Sequence, residues 1–101
     1  SDLVIGPYHF SVHRRTLMNQ RGKKIHLTTK ETQLLDYLYR AGGRAIDSST
    51  LLQDVWGYSP RAESHTVETH VYRLRRKIES NPKRARILIT ARSGYRLDPR
   101  P

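Results

Sequence analysis

Between Ser64 and Ile78 the chain sets His65, Thr66, Thr69, His70, Tyr72, Arg73, Arg75, Arg76 and Lys77 within fifteen residues. Hydroxyls, imidazoles and guanidinium groups at this density suit hydrogen bonding to base edges and phosphates. At about 100° per residue, Val67, Val71, Leu74 and Ile78 form a single apolar stripe, which predicts a helix with one core face. The opposite side carries His65, Thr69, Tyr72 and Arg76, with Arg73 at its edge. Such a surface suits a DNA-reading helix or a merely solvated basic face, and the company the helix keeps decides between them.

Bond-making chemistry finds no comparable support, so an enzyme is the least favoured class. Paired carboxylates, a glycine-rich phosphate loop and a metal-ligand cluster are all missing from the sequence. His9 and His13 share a strand face but would stand about 13 Å apart at strand rise, too far to clasp one metal. Ser64 beside His65 reads as a helix cap and a groove-facing side chain, not as a nucleophile and its base. Without cysteine there is no disulfide or thiolate site, which fits a reducing cytoplasm. No cofactor and no metal are expected.

The charge supports a polyanionic partner. Residues 61–101 carry eleven Lys and Arg against four Asp and Glu, so +7 of the formal +10 lies in this part. A concentrated positive field favours phosphate. The longest apolar runs, Leu3 to Ile5 and Ile87 to Ile89, are far short of the ~20 residues of a membrane helix, and no membrane contact is expected. With 101 residues the chain suits one domain. It starts at Ser1 without an initiator Met, which suggests a domain cut from a longer protein.

The elements that must position the basic helix are legible from local signals. Short apolar bursts from Leu3 to Leu27, broken at Pro7, Arg15 and Asn19 to Gly22, predict an antiparallel sheet of three or four strands. Thr28 with Glu31 forms a capping box for a helix that buries Leu34, Leu35, Leu38 and Ala41 and ends at Gly42-Gly43. Asp47-Ser48-Ser49 opens a shorter helix with Leu51, Leu52, Val55 and Trp56 on one face, closed by Gly57. A loop from Gly57 to Glu63 leads to Ser64, which caps the basic helix, and Asn81-Pro82 stops it. Ile87 to Ala91 and Tyr95 to Leu97 then read as a hairpin around Arg92-Ser93-Gly94.

The order helix, helix, loop, basic helix, hairpin is that of a winged helix-turn-helix, and the residues closely resemble one family. Leu27-Thr28 with Lys30-Glu31 and Leu34-Leu35, Leu51-Leu52 with Val55-Trp56-Gly57, Thr66-Val67 with His70-Val71 and Arg73-Leu74-Arg75, and Thr90 with Gly94-Tyr95-Arg96 look like the OmpR/PhoB-type effector domains of bacterial two-component response regulators. The resemblance covers nearly the whole chain. It implies an α+β winged helix-turn-helix domain over residues 1–101, with an N-terminal antiparallel sheet, three helices and a C-terminal β-hairpin wing. It further implies sequence-specific binding of double-stranded DNA for transcription regulation, as the output of a phosphorelay. A membrane-tethered activator carrying the same domain, or a basic RNA-binding or structural module, is the alternative.

By that resemblance the basic helix enters the major groove, where His65, Thr69, Tyr72, Arg73 and Arg76 face the bases. Trp56, Thr66, His70, Arg75, Lys77, Thr90 and Tyr95 hold the DNA backbone, and Arg92 at the wing tip enters the minor groove. Trp56 equally suits the core, His70 the helix edge and Tyr95 the hairpin, while Arg75 could pair with Glu68 or Glu79. The loop residues Tyr58 and Arg61 would contact RNA polymerase. Tandem homodimers on direct-repeat half-sites, an upstream receiver domain and a sensor kinase acting through it complete the expectation. Three positions depart from the family pattern. Thr32 replaces a large aromatic, which leaves Tyr8 or Tyr37 to fill the space; the wing turn is about one residue short; and Tyr72 stands where some members carry a basic residue.

Overall fold

The computed structural model describes residues 3–59, 61 and 65–100. Four short strands, β1 (Leu3–Ile5), β2 (Tyr8–Ser11), β3 (Thr16–Met18) and β4 (Lys24–His26), form an antiparallel sheet in sequential order. The register aligns Leu3, Phe10, Leu17 and Ile25 in one row and Val4, His9, Met18 and Lys24 in the next. Because successive side chains alternate faces, the first row enters the core, where Phe10 and Leu17 are fully buried, and Val4 is left exposed.

Helix α1 (Thr29–Arg40) begins at the expected capping box. The Thr28 hydroxyl accepts from the Glu31 N–H at 3.1 Å, and the Glu31 carboxylate accepts from the Thr28 N–H at 2.8 Å. Leu34, Leu35, Leu38 and Ala41 are buried. Thr32 is buried too, its hydroxyl donating to the Thr28 carbonyl. Helix α2 (Ser48–Trp56) starts where the Asp47 carboxylate accepts from Thr50 N–H, and it ends at Gly57, whose φ of 74° is a conformation glycine adopts without strain.

Helix α3 (His65–Ile78) is the basic helix, and Val67, Val71, Leu74 and Ile78 are all buried as the stripe requires. Each such side chain contributes roughly 1.5–3 kcal/mol on burial, enough together to fix which side of α3 faces out. The stripe joins one core with Leu34, Leu35 and Leu38 of α1, Leu51, Leu52 and Val55 of α2, and the sheet row. Tyr8 ties the sheet to the end of α3 by donating its hydroxyl to the Ile78 carbonyl at 2.9 Å. The expected cap at Ser64 lies outside the described residues, as do Pro60, Ala62 and Glu63 of the preceding loop.

The arrangement is the expected α+β one, with three adjustments after α3. The helix ends at Ile78, ahead of the Asn81-Pro82 stop, where Asn81 instead caps a single 3-10 turn, Pro82–Arg84. The hairpin strands are β5 (Leu88–Ala91) and β6 (Gly94–Leu97), so Ile87 falls outside the strand. Its N–H, with those of Arg86 and Leu88, donates to the Glu79 carboxylate, which pins the approach to the hairpin. Finally, Ile46 pairs with Tyr95 through two backbone hydrogen bonds, bringing the α1–α2 connection alongside β6. That pairing explains Gly94 better than the turn does. A Cβ there would lie 2.0 Å from the Ile46 carbonyl oxygen, so only glycine lets the two chains approach.

Candidate nucleic-acid interface

Helix α3 presents His65, Thr69, Tyr72, Arg73 and Arg76 to solvent on one side. Tyr72 is 61% exposed, a degree of exposure that no packing role requires of an aromatic. The Arg76 guanidinium lies 5.8 Å from the centre of the Tyr72 ring and donates to its hydroxyl at 3.4 Å, so the two extend outward as a pair. The Thr69 hydroxyl donates to the His65 carbonyl at 2.8 Å, leaving its methyl and an oxygen lone pair for a partner. His65 stands 3.7 Å from Glu68. Arg73 has no partner among the described residues.

On one flank, His70 and Trp56 form a unit. His70 Nδ1 is 2.8 Å from the Thr66 carbonyl, and since a carbonyl only accepts, Nδ1 carries a proton and Nε2 is left available. The Trp56 ring meets the imidazole edge-on at 4.9 Å between centres. Trp56 packs against the core, yet its indole N–H has no acceptor among the described residues. The sequence alternatives of core and phosphate donor are therefore compatible in one half-buried side chain.

The other flank departs from the sequence expectation. Arg75 pairs with neither Glu68 nor Glu79; its Nε donates to the Leu88 carbonyl at 2.9 Å and its guanidinium to the Thr90 hydroxyl at 2.8 Å. The same guanidinium lies 5.9 Å from the Tyr95 ring centre, and the half-buried Tyr95 anchors the hairpin. Burial, then the Glu68 charge, pushes the Tyr95 phenol above its ordinary range, with Arg75 opposing. Arg75 therefore locks α3 to the wing, and any phosphate contact by Arg75 or Thr90 must share that lock.

Lys77, expected as a DNA backbone contact, is engaged within the molecule. Its ammonium donates to the Glu31 carboxylate at 2.6 Å and to the His26 carbonyl at 3.1 Å. Glu31 is only 2% exposed, so a buried carboxylate joins the start of α1 to the end of α3. Burial raises its pKa, but hydrogen bonds from Lys77 and Thr28 outweigh that and hold the carboxyl below the ordinary range. The capping box makes Glu31 legible in the sequence, but nothing local signals a partner 46 positions away.

At the wing, Ala91 pairs with Gly94, so Arg92 and Ser93 make a two-residue turn and both are exposed. Tyr58 is 50% exposed and Arg61 is exposed, on the far side of Trp56 in sequence. Among the described residues no helix is long and apolar enough to cross a membrane, and no group of His, Cys, Asp and Glu could hold a metal ion.

Residues 22–97 match the family described as "Transcriptional regulatory protein, C terminal". The chain is 38% identical over 97 residues to the sensory transduction protein RegX3 of Mycolicibacterium smegmatis, covering 95% of this chain and 42% of that relative. It thus spans about two fifths of the relative's length. Among solved structures, the response regulator DrrB, a Thermotoga maritima OmpR/PhoB homologue, superposes with a TM-score of 0.83 at 28% identity, over 95% of this chain and 43% of that one. The Klebsiella pneumoniae RstA DNA-binding domain, solved in complex with the RstA box, superposes with a TM-score of 0.85 at 24% identity, over 98% of both chains.

Proposed function

This chain belongs to the OmpR/PhoB-type family of transcriptional regulatory protein C-terminal domains, and from that premise we propose that it binds specific double-stranded DNA as the output domain of a phosphorelay response regulator. The family and fold are those of transcription regulators, not of enzymes. The observation that carries the reading is the division of α3: a buried stripe of Val67, Val71, Leu74 and Ile78 behind, and an exposed row of His65, Thr69, Tyr72, Arg73 and Arg76 in front. In the major groove, Arg73 donates two hydrogen bonds to a guanine and the Thr69 methyl meets a thymine methyl. Trp56, Thr66, His70, Thr90 and Tyr95 hold the flanking phosphates, Arg75 sets the wing beside them, and Arg92 reaches the minor groove.

One module of this size buries only roughly 600–1,000 Å² on DNA. Two copies in tandem on direct-repeat half-sites about one helical turn apart supply the remaining affinity. A receiver domain in the longer protein, addressed by a sensor kinase in the cytoplasm, controls that pairing, and Tyr58 and Arg61 meet RNA polymerase. The test starts with duplexes selected from a random pool by the 101-residue chain. Arg73→Ala should cost about 1–3 kcal/mol on the selected site and relax preference at one base pair. Selection of no consensus, or an equal loss on selected and scrambled duplexes, would overturn the reading role.

A further inference from the structure

A groove of about 600 Å³ runs beside the reading face, between the start of α1 and the outer half of α3, with Thr29 and Lys30 on one wall and His70, Arg73 and Arg76 on the other. Its one acid, Glu31, is buried and neutralised by Lys77, so among the described residues no free carboxylate in the groove opposes an anion. At its lip stands Arg15, in the turn between β2 and β3, whose guanidinium donates to the Thr29 hydroxyl at 2.8 Å. Arg15 has φ 55°, the only left-handed residue other than glycine among those described. Glycine would adopt this turn without strain. An arginine kept there, its carbonyl held by the Leu27 N–H at 2.9 Å, calls for a use of its charge.

We propose that this groove seats one sugar–phosphate strand of the bound duplex, with Arg15 and Lys30 as contacts that extend the interface beyond α3 and the wing. The proposal rests on the DNA-binding reading above and locates a second grip for that same duplex. Continuity carries it: Arg73 and Arg76 belong both to the exposed face and to the groove wall, so a strand bordering the major groove that holds α3 lies against this wall. Lys30 lines the groove, and its ammonium, held at the α1–α2 side by donating to the Val55 carbonyl and to Gln33 at 3.0 Å each, keeps one proton to spare. The contacts are with phosphate alone and carry no sequence information.

The experiment measures association constants for selected and scrambled duplexes across a salt series, for wild type, Arg15→Gly and Lys30→Gln. Arg15→Gly removes the charge and relieves the left-handed strain, so the thermal midpoint should hold or rise. Each substitution should flatten the plot of log K against log salt by about 0.9, or roughly eightfold in affinity at 0.1 M salt, equally on both duplexes. If wild type binds the selected duplex while both variants keep its slope, the groove proposal is overturned and the DNA-binding reading stands. A fall in thermal midpoint with an unchanged slope would likewise reduce both residues to structural ties. Failure of wild type to bind any duplex would remove both.

Discussion

Replacing Lys77 with alanine separates two uses of a cation at the edge of α3. Outward, toward phosphate, its loss would weaken DNA binding and leave folding nearly untouched; inward, the loss falls on stability. Lys77→Ala leaves the carboxylate of Glu31, 2% exposed, with the Thr28 N–H as its remaining partner. Breaking a buried pair costs about 3–5 kcal/mol. The Lys77 side chain is 32% exposed, so its own end is partly screened by water and the lower value of about 2–3 kcal/mol applies. For a domain of this size that corresponds to a fall of roughly 10–20 °C in thermal midpoint. Adding Glu31→Gln should recover at least half of it, because glutamine keeps the capping bond without the buried charge. Circular dichroism melts at pH 7 measure the stability, and a salt titration of DNA binding on the same proteins measures the phosphate role. A midpoint lowered by less than about 4 °C, together with a salt slope reduced by about one, would refute the inward assignment.

Acid should act through the same carboxylate: Glu31, and Asp47 at the α2 cap, have folded pKa values below the ordinary range, so their stabilisation is present above about pH 4.3 and is lost as pH falls through the folded values. The thermal midpoint should therefore drop as pH falls below about 4.5, less steeply in Glu31→Gln; parallel curves would remove Glu31 from the acid response. Gly94→Ala should cost about 3 kcal/mol or more, since its Cβ would sit 2.0 Å from the Ile46 carbonyl oxygen, and a melt within about 3 °C of wild type would show that the Ile46 chain yields easily. Arg92→Ala should leave the melt unchanged and weaken binding more on A·T-rich flanks than on G·C-rich ones; equal affinities on both would mean that the wing stops short of the groove. Substituting Tyr58 and Arg61 together should lower transcription from a reporter while sparing DNA affinity, and a joint loss would instead place the loop in folding or DNA contact.

Local signals carried most of the fold. The capping box at Thr28 and Glu31, the Asp47 cap, Gly57 and the α3 stripe each depend on residues a few positions apart, so periodicity and cap chemistry suffice to find them. What stayed hidden is non-local. Gly94 reads as a turn glycine, but its reason is the Ile46 backbone 48 positions earlier in the chain. The exposed row of α3 was legible because helix geometry alone decides which residues oppose a buried stripe. The flanks were not, because composition shows that Arg75 and Lys77 are cationic without showing whether hairpin carbonyls or a buried carboxylate claim them first.

That difference divides the basic residues of α3 into two groups with opposite tasks. Arg75 faces the hairpin and Lys77 faces α1, and His70 meets Trp56 edge-on at the end of α2, so three neighbouring elements meet α3 through a polar side chain as well as through the core. Apolar packing fixes which side of the helix is buried but is non-directional, and it tolerates small rotations. A hydrogen bond of 2.6–2.9 Å to a defined acceptor does not. If Arg73 and Arg76 read bases as proposed, misplacement by even an ångström would break a bidentate contact, and the inward cations would set the accuracy of their presentation. On the DNA-binding reading proposed above, Arg75 and Lys77 would then contribute to specificity without touching a base, through the internal hydrogen bonds that hold α3.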